Sequence, residues 1–253
     1  MKRTYIYTTI FCMGLALLSA CTKNDNYEEP AETLTGRVID NSTGQPIQTE
    51  SAGIRLRLEE QSWNNGQGVI PQYFNVKPDG TFNNSRLFKG KYKVYPMDGA
   101  FVPLVTTTTP VIDNSKTVDI SGVTSLEFNV DPFLKVEWVG EPVVNPDKTI
   151  TVRCKFTRGT TNTAYQFNVT DVFLYVSTTD FVSNASYDNR FSNQVKYNGA
   201  DGNALLGQTI SITTKGTLGN SRTYYVRVGA RTADNVNKRY NYNAPKPVNI
   251  PGA

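Results

Sequence analysis

Not one histidine occurs among the 253 residues of this chain. That absence removes the usual general base near neutral pH, the Ser-His-Asp and Cys-His machinery of nucleophilic hydrolases and histidine-ligated zinc. A carboxylate pair acting as in a glycosidase survives this filter, yet no Asp or Glu stands out by its spacing, so no catalytic residue and no metal ligand is assigned. Cysteine is scarce as well, with only Cys12, Cys21 and Cys154. The first lies within an amino-terminal apolar segment and the second closes it, which leaves Cys154 without an intramolecular partner. Stability must therefore come from burial, and a chain of this length can supply it. Cys154 sits in the alternating run TITVRCKFT and reads as a buried structural thiol, not a nucleophile.

Helical signals are nearly missing too. No long stretch places apolar residues at i, i+3, i+4 and i+7. Short alternating runs rich in Val, Ile, Thr, Tyr and Phe recur instead, punctuated by Gly, Asn, Asp and Pro, which is the pattern of an all-β chain. Nor does charge of one sign dominate. The formal net charge is +4, and without the first 20 residues 24 basic side chains face 22 acidic ones. That balance is too mild for a nucleic-acid footprint.

What is present begins at the amino terminus. Lys2 and Arg3 precede a run without charge from Tyr5 to Ala20, shorter than the roughly 20 residues of a membrane-spanning helix. A basic start, an apolar middle and small residues at the end describe a secretory signal peptide. Leu18-Ser19-Ala20-Cys21 resembles the lipobox of bacterial lipoproteins. The resemblance implies cleavage after residue 20, acylation of Cys21 and anchoring in the outer membrane by lipid. Residues 21–32 then read as a flexible tether, polar and broken by Pro30. Its scattered acids resemble the surface-export signal of Bacteroidetes lipoproteins, which implies display on the cell exterior.

Two sets of strands follow, and the expected architecture is two β-sandwiches in series, residues 33–131 and 132–253, each with its own core. The first set includes GIRLRLEE, where Ile54, Leu56 and Leu58 share one face and Arg55 and Arg57 the other. Gly36-x-Val38-x-Asp40, Thr43-Gly44-x-Pro46-Ile47, Asp79-Gly80-x-Phe82 and Leu87-x-x-Gly90-x-Tyr92-x-Val94 resemble the carboxypeptidase-regulatory-like or transthyretin-like sandwich. That fold docks and spaces, and it brings no catalytic residues. In the second set, YYVRVGA puts Tyr224, Val226, Val228 and Ala230 on one face and Tyr225, Arg227 and Arg231 on the other. It resembles the penultimate strand of fibronectin type III-like domains, where such a tyrosine makes a corner hydrogen bond. Trp138, alternating with Leu134 and Val136, is expected in the core. The order of lipobox, transthyretin-like sandwich and fibronectin-like sandwich resembles the Bacteroidetes lipoproteins of the domain of unknown function 3823 family. That resemblance implies a non-catalytic surface accessory of a starch-utilisation-like glycan-uptake system, with no cofactor.

Candidate glycan contacts are sought in loops, because strand faces are occupied in closing two cores. Trp63, beside Asn64 and Asn65, is either a sugar platform or a loop anchor. The stretch Ser177 to Asn203 is the longest without a strand pattern, and is either a loop or a hairpin arm. It carries Phe181, Tyr187, Phe191 and Tyr197 together with Asp188, Asn189 and Arg190, ring faces beside groups that bond hydroxyls. Its DNR and ADGN segments lack the full calcium-loop pattern. Polysaccharide, and transporter or binding proteins of an uptake complex, are the expected partners; nucleic acid is not. The alternative is a structural or adhesive spacer that binds other proteins.

Overall fold

The computed structural model describes residues 28–63, 67–219 and 221–251. The chain divides into residues 1–30 and a compact unit of residues 31–253. The expected signal segment and Cys21 lie outside the described residues, as do Asn64 and Asn65. Within the compact unit the described residues form two all-β domains in series.

The first domain contains β1 (Glu32–Asp40), β2 (Gln45–Pro46), β3 (Arg55–Glu60), β4 (Gln72–Asn75) and β5 (Thr81–Leu87). It continues with β6 (Gly90–Met97), β7 (Val105–Thr106), β8 (Ile112–Asp113), β9 (Lys116–Ile120) and β10 (Val123–Val130). One sheet runs β4-β3-β6-β9, all antiparallel. In the other, β1 pairs in parallel with β10 from Thr33↔Val123 to Asp40↔Val130, and antiparallel with β2 and β5. The alternation of the sequence sets which side is buried. Leu56 and Leu58 of β3 enter the core with Leu34, Val38, Phe82, Tyr92, Val94 and Phe128, while Arg55 and Arg57 stay half-exposed. Each large apolar side chain so buried contributes about 1.5–3 kcal/mol. Gly36 is required where β1 meets β10, since a Cβ there would lie 1.8 Å from the Leu126 carbonyl oxygen. At the end of β8, Asp113 accepts from Lys93 Nζ at 2.8 Å.

The second domain contains β11 (Leu134–Trp138), β12 (Val143–Val144), β13 (Ile150–Arg158), β14 (Val169–Ser177) and β15 (Asn193–Lys196). Then come β16 (Thr209–Thr213), β17 (Arg222–Thr232), β18 (Tyr240–Tyr242) and β19 (Lys246–Ile250). One sheet holds β11, β12 and β16 around β13; the other runs β15-β14-β17-β18, with β19 also on β17. Between them lie Val136, Val152, Cys154, Phe156, Val172, Leu174, Val226 and Val228. Burial pushes the Cys154 thiol up to about 12. The corner bond is present: Tyr224 donates its hydroxyl to the Gly219 carbonyl at 3.1 Å. Tyr92 makes a similar bond in the first domain, to the Phe88 carbonyl at 2.9 Å. Trp138 packs against the core, and its Nε1–H donates to the Ala244 carbonyl at 2.8 Å.

The stretch Ser177 to Asn203 is more ordered than a plain loop. Residues 193–196 are β15, an edge strand paired with β14 from Asp171↔Lys196 to Leu174↔Asn193. Ser192 is buried and accepts the Val176 N–H at 2.9 Å, so the returning chain is fixed to the sheet before β15 begins. Residues 201–205 add one short 3-10 turn. The segment before Ser192 folds back over the outer face of the sheet, where Phe173, Tyr175, Tyr240 and Tyr242 form a buried aromatic cluster with Val182.

Candidate functional site

β17, through Arg227, and the segment that follows it, through Asn237, Arg239, Asn241 and Tyr242, make the join between the sandwiches. The inward residues of β17 fill the second core, so its outward ones, among them Arg227 and Arg231, project toward the aromatic cluster. Arg227 is only 1% exposed. Its Nε donates to the Asn243 carbonyl at 2.8 Å and Nη1 to the Thr49 carbonyl at 2.8 Å. Nη1 also reaches the Val182 carbonyl at 3.4 Å, and Nη2 reaches Gln48 Oε1 at 3.3 Å. Its guanidinium lies 4.5 Å from the Tyr242 ring centre. One cation therefore ties the first domain, the covering loop and β18. Burial lowers its pKa to about 10, against the pull of Tyr242 and Glu50. Glu50, 2% exposed, sits close by. It accepts from Arg239 Nη1 at 2.6 Å and from the Tyr242 hydroxyl at 2.9 Å.

Beside this junction opens a cleft of about 690 Å³. Glu50, Ala52, Arg55 and Asp98 line it from the first domain; Asn184, Arg231, Asn237, Lys238 and Arg239 line it from the second. Four cationic side chains thus face two carboxylates. Arg55 is paired with Asp98, whose hydrogen bond holds its pKa above the ordinary value. Arg231 Nε donates to Asp171 at 2.9 Å, with its guanidinium 4.7 Å from the Tyr240 ring centre. Burial would lower the Arg231 pKa, but Asp171 and Tyr240 outweigh it and hold the pKa up. Tyr240 closes this set by donating its hydroxyl to Asp171.

Backbone strain gathers in the same place. Among the described residues, Ala52 (φ 57°), Asp98 (φ 68°), Lys148 (φ 61°) and Lys238 (φ 56°) are the residues other than glycine held at positive φ. Three of these four line the cleft. Such a conformation costs about 1–2 kcal/mol per residue, and it clusters where function fixes the chain against its preference. The local reasons are visible. Ala52 lies in a turn closed by the Gly53 N–H on the Glu50 carbonyl at 3.0 Å. Asp98 follows β6, and its carbonyl accepts from Asn237 Nδ2. Lys238 belongs to a loop wound around Asp234, which is fully buried. Asp234 Oδ1 accepts the N–H groups of Val236, Asn237 and Lys238 at 3.0, 2.9 and 2.9 Å.

The expected contact residues are distributed unevenly around this cleft. Tyr187 is near it. Its ring meets Phe173 and Tyr175 edge-on, at 5.2 and 5.4 Å between centres, and it stays 38% exposed. Tyr175 connects it to the cleft, reaching Asn184 Oδ1 with its hydroxyl at 3.4 Å. Phe181, on the same loop, is 56% exposed. Asp188 and Arg190 pair with each other at 2.6 Å, and Asn189 is exposed between them. The Arg190 hydrogen bond lowers the Asp188 pKa. Phe191 and Tyr197, expected on the contact surface, instead pack against the second core. Phe191 lies edge-on to Tyr224 at 5.9 Å, and burial raises the Tyr197 pKa. The reason is β15: pairing with β14 turns its flanking rings inward. Trp63 is 65% exposed and donates its backbone N–H to Glu60 at 2.9 Å. It lies beyond the far end of β3 from Arg55, roughly 17 Å of strand away, so the two aromatic candidates do not share one surface. Sequence reading missed Glu50, Arg55, Asp98, Asn237, Lys238 and Arg239. The one available signal was TADNVNKRY, a run of turn-forming Asp and Asn residues that ends in two cations.

Family models decide the relationship. The model described as "Protein of unknown function (DUF3823) N-terminal domain" matches residues 32–130, and "Domain of unknown function (DUF3823_C)" matches residues 139–247. The chain belongs to the DUF3823 family. A crystal structure of a DUF3823 family protein from Bacteroides uniformis is 34% identical, covers 88% of this chain and all of its own, and superposes with a TM-score of 0.80. A DUF3823 family protein from Parabacteroides merdae is 19% identical over 87% of this chain and 100% of its own, with a TM-score of 0.66. A Bacteroides uniformis protein provisionally described as carbohydrate binding shares 17% identity over 87% of this chain and 100% of its own, with a TM-score of 0.65. Both less similar structures show a shared fold. No curated protein matches the chain.

Proposed function

We propose that this protein is a lipid-anchored accessory of the outer-membrane surface that binds polysaccharide without catalysis and serves a glycan-uptake system. The carrying observation is the interdomain cleft. Three left-handed residues, two amides and four cationic side chains line a space of about 690 Å³, and the half-exposed Tyr187 ring is linked to it through Tyr175. Rings cover the apolar faces of sugars, and amides and charged donors bond the hydroxyls. A fold relative described provisionally as carbohydrate binding supports the same reading. The LSAC sequence ending at Cys21 supports the anchor, and the acidic tether supports outward display. Hydroxyls exchange bonds with water, so each contact adds little. Single-site affinity is expected to be weak and raised by display of many copies on one membrane.

Retention of the full chain on a panel of immobilised soluble and insoluble polysaccharides tests the reading. Wild type is expected to be held by at least one glycan, and Tyr187→Ala to be held less. Tyr187→Ala should cost only about 1 kcal/mol of stability, the worth of its edge contacts. Retention of wild type by none of the panel would favour the spacer reading, for which the buried Arg227 junction is the relevant observation.

A further inference from the structure

The cleft carries more charge than a neutral sugar needs, and the way that charge is held points to one class of ligand. Resting on the glycan reading above, we propose that the cleft selects acidic oligosaccharides, with a uronate carboxylate bound among Arg231, Lys238 and Arg239.

Four cations and two carboxylates line the space. Both carboxylates are already engaged, Glu50 with Arg239 and Asp98 with Arg55. The engagement is one-sided. Arg239 gives only Nη1 to Glu50, Arg231 only Nε to Asp171, and Arg55 only Nε to Asp98. A guanidinium carries five N–H donors in a planar fork, so each has donors left for a second acceptor. A carboxylate fits such a fork with two parallel bonds. Lys238 adds a full charge. Its side chain is exposed, and among the described residues its ammonium has no hydrogen-bond or ion-pair partner. It is also one of the strained residues, held in place by the buried Asp234. An exposed lysine on a relaxed loop would be an ordinary solvated charge. A lysine fixed in a left-handed conformation at the mouth of a cleft, with three partly occupied guanidinium forks beside it, is a placed one.

Neutral groups complete the match. Asn184 N–H donates to the Tyr242 hydroxyl at 3.2 Å, which leaves its amide Nδ2 for a sugar hydroxyl. Tyr187, connected through Tyr175, offers a ring face for the neighbouring sugar. Acidic and neutral units would thus be read side by side.

Calorimetry on the full chain decides the question with oligogalacturonate and its methyl ester, which share one sugar skeleton and differ in charge. The acid is expected to bind about tenfold more tightly at low salt, and to lose that advantage as ionic strength rises. Lys238→Gln should weaken the acid about fivefold, the most an exposed ion pair is worth, and weaken the ester markedly less, so that the preference for the acid shrinks. Because Lys238 supports no other side chain, the variant should keep its fold, and an unchanged melting curve checks this. Equal binding of acid and ester, or of acid by wild type and Lys238→Gln, would overturn the charge selection and leave the glycan reading standing. A sulfated galactan bound in preference to the uronate would overturn the carboxylate assignment. Binding of no glycan at all would overturn both proposals.

Discussion

At the scale of single residues, burial decides chemistry before neighbours do. Cys154 is surrounded by Val152, Phe156 and other core side chains, and its thiol is pushed up to about 12. The unfolded chain ionises this group near pH 8.5. Because the folded value is raised, the stabilisation linked to it is complete below pH 8.5. It is lost progressively as pH rises toward 12. We expect the Cys154 peptide to remain unlabelled by a thiol reagent at pH 8 in the native protein and to be labelled fully in denaturant. Labelling in both states would show that the core opens there. The same rule reads in reverse at Arg227, where burial lowers the pKa to about 10 yet leaves the group charged at neutral pH. Its charge is solvated by carbonyls and an aromatic face in place of water.

At the scale of elements, alternation told more than loop length. Most long strands were legible because period-two patterns such as LKVEW and TYYVRV must bury one face. β18 was not, and β15 was legible only as the hairpin-arm alternative. Each is short, and each exists because a neighbour offers an unpaired edge, β14 in one case and β17 in the other. Edge pairing of that kind leaves little trace in composition, which is why Phe191 and Tyr197 were expected outside. The cleft was harder still. Its residues come from four separated segments, near 50, 98, 184 and 237, and only the fold adds them together. Within one segment the logic is local. Asp234 gathers three consecutive N–H groups and so shapes the loop that presents Lys238. Asp234→Ala is expected to lower stability by about 2–3 kcal/mol, since bonds to a buried charged acceptor are the strong ones. Chemical denaturation measures it. A loss below about 0.5 kcal/mol would mean the loop holds its shape without the carboxylate.

At the scale of the molecule, the two sandwiches have separate cores but a shared, buried seam. Besides Arg227 and Glu50, Asn241 spans it. Its Nδ2 donates to the Ala100 carbonyl at 2.9 Å, and its Oδ1 accepts from the Leu134 N–H at 2.9 Å. Separating the sandwiches would expose Arg227, Glu50 and the aromatic cluster together. We therefore expect residues 31–253 to melt in a single transition despite two cores. Arg227→Ala should lower stability by about 3 kcal/mol, because the Thr49, Val182 and Asn243 carbonyls lose a buried donor. Two resolved calorimetric transitions in wild type would show that the seam adds little.

The parallel pairing of β1 with β10 also fixes how the molecule would bear a load. The chain enters the first sandwich at the start of β1 and leaves it at the end of β10. Because the two strands run the same way side by side, those points lie at opposite poles, about 26 Å apart for eight residues of strand. A pull on the amino-terminal side, resisted through the second sandwich, would slide the two strands lengthwise past each other. All eight registered pairs from Thr33↔Val123 to Asp40↔Val130 would then resist together, in shear. A hairpin pulled from one end would open one pair at a time. A protein tethered at one end and holding a polymer at the other would meet that kind of force, and its first sandwich is strung in the direction that resists tearing.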